Sequence, residues 1–261
     1  MPPSPPPLID THCHLAFSAF DEDRSEVLNR AREAGLVSCV AVAVDAQSAR
    51  QALALAKAEP GFVYATAGIH PTEEAVADPA EFPLVRELLE SKQFVAVGET
   101  GLDAYHECAP LDIQRDALIQ HLNLALQCDL PVVLHCRDAF PELLAALESY
   151  RGEGLRGVLH CFTGGHSERE ALLSLGLHIG VGGIATYKPN SDLREVVREI
   201  PDERLLIETD APWLSPVPMR GRRNEPAFVA HVASRLSEER QQPLATLAKQ
   251  CTANAQALFR F

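Results

Sequence analysis

Apolar runs and amphipathic stretches alternate along the whole chain. Eight short apolar runs predict strands, because they have the length of strands and are separated by polar segments. These runs span residues 8–13, 37–44, 62–69, 94–98, 131–135, 156–161, 177–182 and 204–208. Between them, apolar residues recur at spacings of three and four, which predicts helices.

The clearest predicted helices span residues 24–34, 46–59, 112–128, 140–149, 167–175 and 193–200. The tail, residues 225–261, predicts two closing helices. Strands that alternate with helices imply parallel strands joined by crossovers, and eight such units fit a (β/α)₈ TIM barrel of the α/β class. A doubly wound open sheet is the structural alternative.

The positions of polar motifs favour the barrel over the open sheet. These motifs recur at the C-terminal ends of runs one, three, four, five, six and eight, and a closed barrel makes those ends converge. Neither a composition shift nor a linker interrupts the alternation, so we expect one barrel domain over residues 8–261. Residues 1–7 are rich in proline, and we expect them to form a disordered leader.

Composition is that of an ordinary globular protein with a full core: 46% of the 261 residues are hydrophobic. No run approaches the roughly 18–20 apolar residues that cross a bilayer, and the N-terminus does not resemble a signal peptide. We therefore expect a cytoplasmic protein with no membrane association and no obligate protein partner.

The seven cysteines are scattered without a Cys-x-x-Cys pair, which predicts reduced thiols rather than a disulfide framework. Cys13, Cys136 and Cys161 each adjoin a histidine at a strand end. Because side chains alternate along a strand, we expect these three thiols to point outward, toward the helices.

The formal net charge of −13 argues against a sequence-independent DNA coat protein, which needs a broad basic face. A nucleic-acid substrate remains compatible with this charge. Two divalent cations would reverse the charge of a small acidic pocket and allow a phosphodiester to bind there.

Imidazole and carboxylate groups stand at or just beyond the ends of five apolar runs. They lie in segments 10–14, 98–103, 134–136, 159–161 and 208–210. Burying several such groups together is costly unless a cation balances them, so the pattern predicts a metal site. The predicted ligands are His12, His14, Glu99, His135, His160 and Asp210.

His12 and His14 are two residues apart, so on a strand both face one side and can ligate one ion. Glu99 follows the fourth run, where we expect a turn to begin, and its two oxygens can bridge two ions. Asp210 is the candidate general base, a role that suits a carboxylate kept ionised by a nearby cation.

Three further residues are candidates for the same predicted site, at the C-terminal ends of the barrel strands. Asp10 either orients an imidazole or caps backbone amides, and Glu208 either supports the site or belongs to the last barrel layer. His70 ends the third run, where it can donate to a substrate oxygen.

Substrate contacts are predicted from arginine and aromatic side chains near these motifs. Arg137 and Arg223 can hold phosphate oxygens, although the three-arginine cluster that contains Arg223 can equally be a solvated loop. Tyr105 and Trp213 can stack on a base, or simply pack. The remaining histidines, at positions 106, 121, 166, 178 and 231, are expected on the surface or in the core.

Taken in order, the motifs resemble the TatD family of metal-dependent hydrolases from Leu8 almost to the C-terminus. The segments that carry the resemblance are Asp10-Thr11-His12-Cys13-His14-Leu15, Gly68-Ile69-His70-Pro71, Val97-Gly98-Glu99-Thr100-Gly101-Leu102-Asp103, His135-Cys136-Arg137, His160-Cys161-Phe162-Thr163-Gly164, Glu208-Thr209-Asp210-Ala211-Pro212 and Arg223-Asn224-Glu225-Pro226.

The resemblance implies a metallo-dependent hydrolase barrel and a 3′–5′ exodeoxyribonuclease linked to DNA repair, acting on single-stranded ends. It places the six predicted ligands at the metals and His70 near the substrate. Some members of the resembled family lack the first histidine pair, and its presence here as His12 and His14 favours a site for two divalent ions. Zinc, manganese and cobalt suit these ligands, and magnesium suits them less.

Our hypothesis is phosphodiester hydrolysis by a metal-activated water, with Asp210 taking its proton and His70 or Arg137 stabilising phosphoryl charge. The main alternative is D-aminoacyl-tRNA deacylation at the same site, because the resembled family includes enzymes assigned to it. The third is a non-catalytic metal-binding scaffold. Glu99 stands where a related amidohydrolase can use a modified lysine as the bridge between metals, which weakens the dihydroorotase-like and phosphotriesterase-like interpretations.

Overall fold

Eight parallel strands pair in chain order and form one sheet. The computed structural model describes residues 6–261. The strands are β1 (Leu8–Cys13), β2 (Leu36–Ala41), β3 (Val63–Ala67), β4 (Ala96–Asp103), β5 (Val132–Arg137), β6 (Gly157–Leu159), β7 (His178–Val181) and β8 (Leu205–Ile207).

Helices follow the strands and cover the outside of the sheet. Among residues 6–261 they are α1 (Arg24–Glu33), α2 (Ala46–Ala58), α3 (Glu81–Glu90), α4 (Leu111–Cys128), α5 (Phe140–Glu148), α6 (His166–Ser174), α7 (Ser191–Arg198), α8 (Val229–Glu239) and α9 (Leu244–Phe259). Short 3-10 turns occupy several of the connecting loops.

The sheet closes where the end of β8 meets β1. The Asp210 N–H donates to His12 O at 2.9 Å, and the His14 N–H donates to Ala211 O at 2.7 Å. The predicted TIM barrel is confirmed. Because these closing bonds belong to residues of the candidate site, barrel closure also fixes the backbone of that site.

Two apolar clusters hold the barrel together. A large cluster packs the helices against the strands. A smaller one fills the barrel at the end opposite the histidines and is closed by α9, and each fully buried aliphatic side chain contributes about 1.5–3 kcal/mol. Its members are Ile9, Val40, Val42, Ala96, Val133, Val158, Leu206, Ala255, Leu258 and Phe259.

Strand β4 differs most from its predicted span, which ended at residue 98, because it continues to Asp103. Gly98 and Gly101 have φ angles of 139° and 153°, and the pairing with β5 shifts register between Val97 and Thr100. A Cβ on Gly98 would lie 2.6 Å from a β5 carbonyl oxygen, so only glycine fits this irregularity. Glu99 is thus inside a strand and not at the start of a turn.

Helix α3 is an element that the sequence pattern did not single out. Pro83 is its third residue, and a proline in the sequence ordinarily indicates that a helix ends. Within the first turn, however, a backbone N–H has no intrahelical acceptor, so its loss costs little.

The predicted leader, residues 1–7, falls mostly outside the described residues. Pro7 is described, and its carbonyl accepts a hydrogen bond from Thr252 Oγ1 at 2.9 Å. The single-domain boundary at residue 8 stays a prediction. Over residues 6–261, no helix combines the length and the apolar character that crossing a membrane requires.

His121 ties α4 to the backbone just before His70. Its Nδ1 donates to Ala117 O at 2.7 Å, and its Nε2 accepts the Ile69 N–H at 3.1 Å. This arrangement needs a neutral ring, and burial lowers the pKa of His121 to about 4.

We expect His121 to make folding sensitive to acid. The unfolded ring takes up a proton near its ordinary pKa of 6.5, whereas the folded ring resists it, so stability is complete above about pH 6.5 and falls toward pH 4, by up to about 3 kcal/mol. Urea unfolding of wild type and His121→Gln at pH 7.5 and 4.5, both with EDTA, measures this difference.

The variant should lose less stability on acidification than wild type. His231→Gln, a change at a partly exposed histidine of α8, serves as the matched control and should keep the wild-type pH dependence. Equal acid sensitivity in wild type and His121→Gln would show that His121 does not carry the effect.

Candidate metal centre

Glu99 lies at the C-terminal mouth of the barrel with its side chain 2% exposed. Its Oε2 is 3.1 Å from His12 Nε2 and 3.8 Å from His14 Nε2. Asp210 joins this group, with Oδ1 3.5 Å from His14 Nε2 and 3.7 Å from His12 Nε2. One oxygen of Glu99 therefore faces the residues contributed by β1 and by the end of β8.

The other oxygen of Glu99 faces a second group of imidazoles. Its Oε1 is 2.7 Å from His160 Nε2 and 3.3 Å from His135 Nδ1. His70 approaches the same oxygen through Nε2 at 3.4 Å. The structure thus brings together all six residues that the sequence nominates as ligands, and Glu99 divides them into two groups.

Hydrogen bonds on the far side of two rings fix which nitrogen faces the centre. His14 donates from Nδ1 to Val42 O at 3.1 Å, and His135 donates from Nε2 to Asp103 Oδ2 at 2.9 Å. In a neutral imidazole the second nitrogen is then free to accept or to bind a cation. His14 Nε2 and His135 Nδ1 are the nitrogens presented in this way.

His70 has the opposite orientation. The Thr72 N–H donates to His70 Nδ1 at 3.2 Å, so the proton of a neutral ring resides on Nε2. That N–H faces Glu99 Oε1 across 3.4 Å. This geometry suits a hydrogen-bond donor, the role that the sequence predicts, more than a metal ligand.

Asp103 is a residue of the site that the sequence reasoning missed. Besides His135, its buried carboxylate accepts the Tyr105 and His106 N–H groups at 2.9 and 2.8 Å, and His106 Nδ1 at 2.9 Å. Glu99, Gly101 and Asp103 alternate along β4, so a strand continued past Gly98 would have placed the two carboxylates on one face. His106, expected on the surface or in the core, is exposed and lines the mouth of the barrel.

The electrostatics of the cluster keep its central carboxylates ionised. Burial alone would raise the pKa of Glu99, but His160 and His12 hold that pKa well below its usual range. Burial would also raise the pKa of Asp210, but the hydrogen bond from His14 and the nearby rings of His160 and His12 together lower that pKa. Both groups are acceptors at neutral pH.

The donor set fits a divalent metal ion. Ring nitrogens and carboxylate oxygens lie within 4.8 Å of one another in three overlapping sets: His12, His14 and Glu99; His70, Glu99 and His135; and His12, His160 and Glu208. Buried imidazole and carboxylate together suit zinc, manganese or cobalt. The cluster is therefore able to bind metal.

Asp10 caps backbone groups and does not reach an imidazole nitrogen. Its carboxylate accepts the Thr209 N–H at 2.9 Å, the Thr209 hydroxyl at 2.6 Å and the His12 N–H at 3.3 Å. Burial raises the pKa of Asp10 to about 8. Of its two interpretations, the structure favours the cap.

A cavity of about 500 Å³ opens above the cluster. Tyr105 and Arg137 line one side, with the guanidinium 4.6 Å from the centre of the tyrosine ring. Trp213 lines the other side, 50% exposed, and meets the rings of His14 at 5.0 Å and Phe17 at 5.7 Å. Three of the four predicted substrate-binding side chains outside the histidine cluster thus reach the cavity.

Arg223, the fourth, lies away from the cavity. Its guanidinium donates to Asp23 and to Ala19 O, each at 2.6 Å, and sits 4.7 Å from the centre of the Phe20 ring. These contacts engage two of the five N–H donors of the guanidinium and hold it against the loop that contains Asp23. The neighbouring Asn224 has a structural task as well, donating to carbonyls on both sides of the Asp210 turn.

The three cysteines beside the histidines are only partly as expected. Cys13 is buried and donates to Val40 O at 3.3 Å. Cys136 and Cys161, in contrast, line the cavity. Cys161 follows the end of β6 with a φ of 45°, so strand alternation does not apply to it.

Comparisons with known proteins agree with the architecture and with a metal-dependent hydrolase. The family model described as TatD related DNase matches residues 9–260. The 3′–5′ ssDNA/RNA exonuclease TatD of Pantoea sp. (strain At-9b) is 39% identical over 258 residues, which cover 97% of this chain and 99% of that protein.

Two other proteins extend these comparisons. The metal-dependent hydrolase YabD of Bacillus subtilis is 36% identical over 253 residues, which cover 97% of this chain and 99% of that protein. The crystal structure of YJJV, a TatD homologue of Escherichia coli K12, superposes with a TM-score of 0.92 at 34% identity and covers 97% of this chain and 98% of its own.

Proposed function

This chain belongs to the TatD-related DNase family, and from that premise we propose that it removes nucleotides from the 3′ end of single-stranded DNA. The chain is a metal-dependent hydrolase, as its family membership shows. The observation that carries the proposal is the division of the histidines by the two oxygens of Glu99. A carboxylate placed between two sets of nitrogen ligands suits hydrolysis of a phosphodiester with two cations.

We assign His12, His14 and Asp210 to one ion, His135 and His160 to the other, and Glu99 to both. Zinc, manganese and cobalt suit these donors, and magnesium suits them less. When bound, two such cations lower the pKa of a water toward neutrality and offset the charge of the phosphodiester.

The protein groups supply the proton acceptor and the contacts to substrate oxygens. Asp210 Oδ1 faces the centre and is ionised at neutral pH, so it accepts the proton of the attacking water. His70 carries its proton on the nitrogen that faces the cluster, where it donates to a phosphoryl oxygen. Arg137 at the rim holds a neighbouring phosphate.

The shape of the cavity supports a single strand over a duplex. Its volume of about 500 Å³ is that of a small-ligand site, so it admits a strand end and not a double helix. The exposed rings of Tyr105 and Trp213 stand at the rim. We propose that bases of the terminal nucleotides stack on them, which requires unpaired bases.

We expect Trp213→Ala to weaken substrate binding more than the chemical step. Loss of one stacked base costs about 1–3 kcal/mol, which corresponds to about a 5- to 150-fold rise in KM for single-stranded DNA. Trp213→Phe keeps a stacking surface and should show a smaller rise. An unchanged KM in Trp213→Ala would exclude the proposed stacking.

The first test is nucleotide release from 3′-labelled and 5′-labelled single-stranded DNA. EDTA-treated protein is resupplied separately with magnesium, manganese and zinc. Stepwise loss from the 3′ end that depends on metal supports the proposal. If DNA stays intact, release of amino acid from D-aminoacyl-tRNA tests the deacylase alternative, and no turnover on either ester would favour a scaffold.

We further propose a setting in cytoplasmic DNA repair, with the nucleic-acid end as the main partner. The seven cysteines are all free, which fits a reducing compartment. Removal of unpaired 3′ ends is chemistry that repair requires. Accumulation of 3′ single-stranded tails in cells that lack this chain would support that setting.

A further inference from the structure

Two imidazoles of the candidate metal centre are stacked face to face. The rings of His12 and His160 have centroids 3.8 Å apart and an interplanar angle of 12°. Their Nε2 atoms face opposite oxygens of Glu99, at 3.1 and 2.7 Å. Both rings therefore present one edge to the same carboxylate while belonging to different ligand groups.

The Nδ1 atoms on the opposite edges of these rings are buried, and Glu208 lies close to both residues. Neither Nδ1 has a hydrogen-bond partner among residues 6–261, and the same holds for Glu208 Oε2. His160 Nδ1 lies 3.3 Å from Glu208 Oε1, although the two are not aligned as a hydrogen bond. A ring nitrogen of His12, one of His160 and an oxygen of Glu208 lie within 4.8 Å of one another.

Glu208 is buried and tightly packed. Its side chain is 1% exposed, and Oε1 accepts the Cys161 N–H at 2.5 Å. A Cβ on Gly180 would lie 2.5 Å from Glu208 Oε2, so the absence of a side chain at Gly180 makes room for the carboxylate. This packing leaves Glu208 little freedom to turn away from the two rings.

We propose that Glu208 is a positioning residue that keeps both His12 and His160 in the tautomer with the proton on Nδ1. A buried carboxylate attracts two N–H dipoles that have no other acceptor, and the Nε2 lone pairs then point toward Glu99. His14 and His135 each have an acceptor of their own, Val42 O and Asp103. Glu208 differs from them because it serves one ligand of each ion.

This inference rests on the proposed two-ion site and extends it, because it predicts that one carboxylate sets the affinity of both ions. In Glu208→Gln the negative charge is lost, and the one remaining side-chain oxygen stays on the Cys161 N–H while the NH2 group faces the rings, so both rings lose the acceptor that holds their Nδ1 protons. Gly180→Ala changes the same contact without altering the carboxylate, since the new methyl group displaces Glu208 Oε2.

Titration of metal-free protein with Mn²⁺, followed by electron paramagnetic resonance, tests whether Glu208 affects the binding of both ions. Removing an acceptor behind a metal-binding histidine typically weakens metal binding by about 10- to 100-fold. We expect Glu208→Gln to weaken both binding steps to that extent, and Gly180→Ala to weaken both in the same direction. Asp103→Asn is the matched control, because His135 is the only proposed ligand among the described residues that Asp103 contacts, and it should weaken one step only.

Nitrogen NMR of histidine-labelled, Zn²⁺-loaded protein gives the second readout. The Nδ1–H signals of His12 and His160 should move together in both variants, while the His14 signal stays in place. Wild-type affinity for both ions in Glu208→Gln would overturn the proposal, as would weakening of one step only. Loss of a third equivalent of Mn²⁺ would show that Glu208 is itself a metal ligand and would overturn it as well.

Circular dichroism melting of each variant shows whether it is folded before metal is added. If Glu208→Gln does not fold, Gly180→Ala carries the decision by the same criteria. Failure of the proposed function is a separate result: a wild-type protein that binds two Mn²⁺ ions but cleaves no nucleic acid leaves the role of Glu208 intact.

Discussion

Glu99→Gln should abolish metal-dependent cleavage, with kcat/KM for single-stranded DNA reduced by at least about 10³-fold. The carboxylate is the only residue among those described whose two oxygens face both histidine groups. An amide keeps the size of the side chain but removes its charge and replaces one of its two acceptor oxygens with a donor. The variant should therefore lose tight binding of both ions as well as turnover.

Metal content by mass spectrometry after dialysis, measured beside the rate, separates loss of ions from loss of folding. Glu74→Gln is the matched control, because Glu74 is an exposed carboxylate next to the mouth and outside the cavity lining. It should retain wild-type activity and two ions. Full activity with two bound ions in Glu99→Gln would contradict the central place given to Glu99.

Asp210→Asn should reduce kcat by about 10²- to 10⁴-fold while KM changes much less. The asparagine can still occupy the turn, whose φ of 59° suits Asn as well as Asp. It cannot accept the proton of the attacking water, so the loss falls on the chemical step. Single-turnover rates at saturating DNA, with Mn²⁺ supplied in excess, measure that step directly.

The pH dependence gives this prediction a second readout. Because neighbouring groups hold the pKa of Asp210 below its usual value, the wild-type rate should not fall through protonation of Asp210 until the solution is well below neutral. In Asp210→Asn the rate should rise with pH, as hydroxide substitutes for the lost acceptor. Asp116→Asn, an exposed carboxylate on α4, should behave as wild type. A variant with unchanged kcat would remove Asp210 from the role of base.

The alternation of strands and helices was readable from the sequence because burial has a different period in each. Seven of the predicted strands coincide with β1–β3 and β5–β8 to within a few residues, and the two closing helices appear as α8 and α9. Strand β4 was cut short because glycines at 98 and 101 read as a turn. In the barrel they permit an irregular strand that continues to Asp103.

The residue types at the strand ends also predict the chemistry of the site. A histidine or carboxylate at the end of a buried strand needs a partner, and a closed barrel brings those ends together. The sequence could not show where Arg223 lies, because its ion pair with Asp23 joins residues 200 positions apart. His106 is exposed, one of the two settings expected for it, but no local pattern shows that Asp103 would hold it at the mouth.

The sequence by itself determined the barrel, the set of buried donors and the family, since periodicity and motif order are local properties of the chain. Only the tertiary structure decided how those donors are shared. It placed Glu99 between two histidine groups, gave His70 its proton on the nitrogen facing Glu99, and set Glu208 behind the stacked rings of His12 and His160. The physical reason is that tautomers, ion pairs and carboxylate orientation depend on distances between side chains far apart in sequence, which folding alone fixes.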